Sequence, residues 1–145
     1  MKEKILSRST TLIAALLVLL MASALFSACS KKAKFNPEQL KDGSYTGEFV
    51  DDDENPSRVE VELTIEGGKI IKCEAAEYDH NGNLKAEEYA AISPEAAKAV
   101  EGMREYPDLL LKAQDPDTID AVSGATISLD RFKAAVWDAL KKAEN

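Results

Sequence analysis

The sequence is poor in the residues from which most catalytic and metal centres are assembled. It has one histidine, His80, in the turn-like run "YDHNGN", and two widely separated cysteines, Cys29 and Cys73. A single histidine with no cysteine near it makes neither a tetrahedral zinc site nor a nucleophile–base triad. Cys73 alternates with apolar neighbours and is expected to be a buried small hydrophobe rather than a working thiol. Positive charge is also scarce: 18 Lys and Arg against 26 Asp and Glu give a net charge of −8. That balance argues against nucleic acid or anionic headgroups as partners. The acidic run "DDDENPS" lacks the spaced oxygens and the glycine of an EF-hand loop, so it is expected to be a solvated hairpin loop. Asp115, Asp117 and Asp120 are interrupted by Pro116 and suit a capped loop better than a metal cluster.

The one long apolar run lies at the N-terminus. Lys2, Lys4 and Arg8 precede "TLIAALLVLLMASALF", Thr11 to Phe26, which is slightly short for a membrane span. It ends in "SAC", which resembles a bacterial lipobox whose cysteine, here Cys29, is lipidated and becomes the mature N-terminus. Phe26 stands where leucine is usual in that motif. An ordinary signal peptide and an uncleaved anchor helix are the alternatives, and all three put the remainder outside the cytoplasm. Residues 1–28 are thus expected to be a lipoprotein signal peptide, 29–41 a lipidated tether and 42–145 one small domain. Cleavage leaves 117 residues of net charge −10, because it removes three basic residues and one acidic one. With Cys29 lipidated, Cys73 has no disulfide partner and the domain must be held by its core alone.

Within the domain the pattern predicts strands first and helices after, an α+β fold. "DGSYTGEFV" (42–50) is a first strand with Tyr45, Gly47 and Phe49 on one face. Val59, Val61, Leu63 and Ile65 alternate with polar residues, the period of a half-buried strand. "EGGK" is a tight hairpin turn, and the return strand is expected to run inward through Ile71, Cys73 and Ala75. A small antiparallel sheet of three or more strands needs a cover, which the C-terminal helices supply. Ser93 and Pro94 read as N-cap and first residue of one helix, which Pro107 is expected to break. The last helix carries Phe132, Val136, Trp137, Ala139 and Leu140 at helical spacing, with Ser128 or Asp130 as its cap. Trp137 is expected in the core.

"DAVSGATIS", residues 120–128, sets three hydroxyls around a glycine just before that helix. A glycine turn at a helix N-terminus offers free N–H groups and the positive end of the dipole, which suit a phosphate. On pattern alone a structural turn still ranks above an anion site.

The stretch resembles the flavinylation motif of the FMN-binding domain family, found in soluble subunits of sodium-pumping NADH:quinone reductases and Rnf complexes. "KDGSYTGEF", "VEVELTIEGGKIIKCEA" and "SLDRFKAAVWDAL" resemble the family's opening strand, central hairpin and closing helix, in order. The resemblance implies FMN as cofactor, joined by its phosphate to Thr126 by a separate flavin transferase that uses FAD. It makes Asp120, Ser123, Gly124 and Ala125 the residues around the acceptor, and Ser128 a cap or a supporting phosphate ligand. It further implies a lipid-anchored extracytoplasmic electron carrier, not an enzyme, with a membrane redox donor and an extracytoplasmic acceptor as partners. The alternative is a non-covalent FMN or other ligand module, or a structural partner in a membrane redox complex. An enzyme of its own ranks last, because no nucleophile–base pair is evident.

Overall fold

The computed structural model describes residues 36–144; Cys29 and the expected signal peptide lie outside the described residues. Strands β1 (Gly43–Val50), β2 (Arg58–Glu66) and β3 (Lys69–Tyr78) form one antiparallel sheet in the order β1-β2-β3. The alternation predicted for β2 holds: Val59, Val61, Leu63 and Ile65 are all buried, while Glu62 is exposed. Three helices follow: α1 (Glu87–Ala90), α2 (Pro94–Ala113) and α3 (Thr126–Glu144). The inner face of the sheet packs against α2 and α3, so the expected α+β architecture is the observed one. No helix among the described residues is long and apolar enough to cross a membrane.

The return strand corrects the sequence reading. Thr64 pairs with Lys72 and Ile65 with Ile70, so Ile71 is the extra residue of a bulge. Ile71 is 52% exposed and Ile70 is buried instead. A bulge resets the side-chain parity, and from there Cys73, Ala75 and Glu77 point inward together. Gln114 stabilises this irregularity: it accepts from the Ile70 N–H (2.9 Å) and donates to the Ile70 carbonyl (2.9 Å). Burial pushes the Cys73 thiol up to about 12, so no reactive thiolate forms near neutrality.

Pro107 does not break its helix. α2 is capped by Ser93, whose hydroxyl accepts from the Ala96 N–H (3.1 Å), and runs from Pro94 through Pro107 to Ala113. The interior proline removes one backbone bond at a cost of about 3 kcal/mol. Tyr106 and Leu110, on either side of it, are fully buried, and each such burial returns about 1.5–3 kcal/mol. Packing therefore wins over local propensity.

α3 lies so close to β1 that only glycine fits between them. A Cβ at Gly47 would sit 2.0 Å from the Ala135 carbonyl oxygen and 2.6 Å from the Ala139 nitrogen. Phe132, Val136, Ala139 and Leu140 complete the core, while Trp137 is only partly buried and its indole N–H donates to Asp117 (3.2 Å). Leu40, in the segment assigned to the tether, is buried in the same core, and the next residue, Lys41, donates its N–H to the Ala143 carbonyl (3.0 Å). Leu63→Ala is expected to lose about 2–5 kcal/mol of stability. Gly47→Ala, which overpacks a helix–sheet contact with backbone on one side, is expected to lose at least about 1–3 kcal/mol. Urea unfolding of the two variants against the parent checks both.

Candidate functional site

The loop 120–125 is held by its own backbone and by α2. Ala125 is its anchor. The Ala125 N–H donates to the Val122 carbonyl (2.9 Å), and its carbonyl accepts from the Tyr106 hydroxyl (2.8 Å) and the Leu129 N–H (3.0 Å). The Ala125 side chain is buried against Gly102 of α2, where a Cβ would come within 2.5 Å of it. Before it, Gly124 has φ +84°, a conformation L side chains rarely adopt, and a Cβ there would strike Lys98 at 2.4 Å. The chain then enters α3 at Thr126, which is exposed and whose hydroxyl makes no hydrogen bond among the described residues.

Gly124, Ala125, Thr126 and Ser128 line a cavity of about 500 Å³ together with Lys85, Tyr89, Ile92, Ile127 and Arg131. Asp120 and Ser123 are exposed on the loop and do not line it. The first N–H groups of α3 have no intrahelical acceptor, by the geometry of any helix start. Ser128 is not the cap expected from sequence, nor is Asp130. Both lie inside α3, Asp130 exposed and Ser128 buried with its hydroxyl donating to Glu77 Oε2 (3.0 Å). A second hollow, about 550 Å³, lies elsewhere, lined in part by Glu48, Glu60, Glu62 and Glu74. Four carboxylates make it a poor host for an anion.

Sequence reasoning missed what stands behind Thr126. Glu77 is 1% exposed at its side chain and is met from three directions. Ser128 donates to one oxygen; Lys85 Nζ (2.9 Å) and Arg131 (2.8 Å) donate to the other. Arg131 also pairs with Asp51, so the acidic loop is not wholly solvated as expected: Asp51 is largely buried and its carboxylate accepts from the Ser57 N–H (3.2 Å). Burial opposes the charge on Arg131. The hydrogen bond it donates to Asp51 and the charges of Glu77 and Asp51 outweigh it, and its pKa lies above the ordinary guanidinium value. Lys85 is brought there by the turn 79–83, where Asp79 accepts from the N–H groups of Asn81 (2.9 Å) and Asn83 (2.8 Å). His80 is exposed in that turn, as expected. The signal for the cluster was present in the strand parity: a glutamate two residues beyond Ala75 has to face inward.

The family model of the FMN-binding domain matches residues 56–141, a span that contains β2, β3, the loop and most of α3. The chain is a member of the FMN-binding domain family. The "15 kDa lipoprotein" of Treponema pallidum (strain Nichols) is 32% identical over 124 residues, which cover 79% of each chain. The crystal structure of the CPE2226 protein from Clostridium perfringens is similar at a TM-score of 0.61, with 27% identity, covering 72% of this chain and 89% of that one.

The residues of this FMN-binding domain fit its cofactor. Gly124 leaves room for the Lys98 side chain to lie against the loop, its ammonium 3.2 Å from where a Cβ would stand. Together with the α3 N-terminus this gives positive charge at the mouth of the cavity for a phosphate. Tyr89, Ile92 and Ile127 offer flat and apolar surface for a ring, and the two isoleucines are unusually exposed for their type, at 73% and 67%. Bound there, FMN supplies the redox chemistry and the protein supplies position and charge. Removing one partner of a buried ion cluster strands the others, so Glu77→Ala is expected to lose about 3–5 kcal/mol. Thermal unfolding of the protein without FMN checks it, and an unchanged midpoint would show that the cluster is not what closes this end of the sheet.

Proposed function

We propose that the protein carries FMN covalently, as a phosphoester on the Thr126 hydroxyl, and works as an extracytoplasmic electron carrier held at the membrane by lipid on Cys29. The observation that carries the reading is the position of Thr126: the first residue of α3, exposed, at the cavity wall, directly after the Gly124 turn. In the transfer the Thr126 oxygen bonds to the FMN phosphorus of FAD while the bond to AMP breaks. AMP leaves, and the threonine proton passes to a base of the flavin transferase. The isoalloxazine ring takes no part in that bond, so it keeps its capacity to accept electrons from a membrane donor and pass them to an acceptor. Attachment has a physical use outside the cell, where a dissociated cofactor diffuses away. The lipoprotein name of the Treponema relative supports the Cys29 anchor.

The chain's own residues do the rest. Ala125, pinned by Tyr106 and Gly102, fixes where the acceptor oxygen emerges. Asp120 and Ser123, exposed on the same loop, are open to recognition by the transferase. Ser128 supports the site from beneath through Glu77, not as a phosphate ligand.

Coexpression with a flavin transferase tests the reading by intact mass. The parent is expected to gain one FMN per chain, Thr126→Ala none, Asp120→Ala a reduced fraction and Ser128→Ala nearly a full one. An unlabelled parent that still binds added FMN would make the protein a non-covalent module. For the anchor, Cys29→Ala is expected to release the protein from membranes or to block its processing; a variant that stays bound, with no lipid mass on the parent, contradicts it.

A further inference from the structure

The cluster behind Thr126 contains an N–H group with no hydrogen-bond acceptor among the described residues, on Lys85. The Lys85 side chain is 7% exposed. A buried ammonium has three N–H groups to satisfy. Two are taken, by Glu77 Oε1 (2.9 Å) and Ser57 Oγ (2.8 Å). The third has only the ring face of Tyr89 near it, the nitrogen lying 5.0 Å from the centroid, and both residues line the cavity. The surrounding charges do not explain the lysine: Arg131 already bridges Glu77 and Asp51, and Ser128 occupies the remaining Glu77 oxygen. The only other charged wall residue, Glu95, is exposed at the start of α2.

We propose that the spare N–H of Lys85 is donated to the carbonyl edge of the flavin ring, so that Lys85 orients the ring and raises its reduction potential. The inference rests on the reading that the phosphate sits at Thr126. With that end fixed beside Gly124, the ring extends between Ile92, Ile127 and Tyr89 toward Lys85; Arg131, which also lines the cavity, has its three nitrogens turned to Asp51 and Glu77. Positive charge near the ring's pyrimidine edge favours the reduced form, which carries more electron density there. Beside a side chain as little exposed as that of Lys85, the effect is larger than in solvent. Lys85 is thus a positioning residue, and Glu77 and Ser57 hold it.

Lys85→Met keeps the chain length and removes the charge and the donors. In FMN-loaded protein its midpoint potential is expected to drop at least tenfold in preference for the reduced flavin, about 30 mV for a two-electron couple, with Lys85→Arg nearer the parent. A variant that is less stable without FMN but unchanged in potential has lost only structure, and overturns the proposal. Should Lys85→Met not fold, the parent decides: the proton–nitrogen signal of the Lys85 ammonium is expected to move between FMN-free and FMN-loaded protein, and a stationary signal overturns the proposal. Absence of covalent mass on the parent would refute the Thr126 reading instead. The same potential comparison on protein reconstituted with free FMN then decides Lys85 by itself.

Discussion

A carboxylate buried at the end of β3 is the constraint on which the rest of this structure depends. Glu77 sits at an inward strand position with almost no solvent contact, and an ionised carboxylate there must be paired and hydrogen-bonded. Its partners come from separate elements: Ser128 and Arg131 from the start of α3, Lys85 from beyond the 79–83 turn, and Asp51 through Arg131 from the β1–β2 loop. Meeting them all fixes the first turns of α3 over β3. Thr126 lies two residues before Ser128, so these contacts hold the turn that follows it, while Ala125 fixes the loop that precedes it. A cluster of this kind contributes little net stability compared with apolar packing; its consequence here is geometric.

Much of the fold was legible in the sequence because its signals are local. The period-two run of Val59 to Ile65, the double-glycine turn, the Ser93–Pro94 start and the apolar stripe of α3 each depend on a few neighbouring residues. Among the readings that went astray, three show contacts distant in sequence overruling a local pattern. Ile71 was displaced by a bulge where Gln114, 44 residues along the chain from Ile70, satisfies the Ile70 backbone. Pro107 was overruled by the burial of Tyr106 and Leu110. Ser128 has the composition of a cap, yet its partner is a glutamate on another element.

The candidate site divides in the same way. The loop was legible as a motif, and its glycine has the positive φ that the turn requires. What gives the cavity its character was not: strand parity turns Glu77 inward, but no local pattern announces that Lys85 and Arg131 meet it there, or that Ile92 and Ile127 flank the same opening. The division has a physical basis. An attachment loop has to be read by a transferase along an exposed chain, so its chemistry is contiguous, whereas the surroundings of a ring are assembled by packing. On the proposed reading, one face of the domain offers its hydroxyl outward and keeps its charges beneath.

The most direct measurement is a fragment-mass map of protein isolated after coexpression with the transferase. Trypsin is expected to release Ala113–Arg131, which holds Ser123, Thr126 and Ser128 on one peptide. The account predicts that the FMN increment lies on Thr126 alone. An increment on Ser123 or Ser128, or an unmodified peptide from protein that retains flavin, would contradict it.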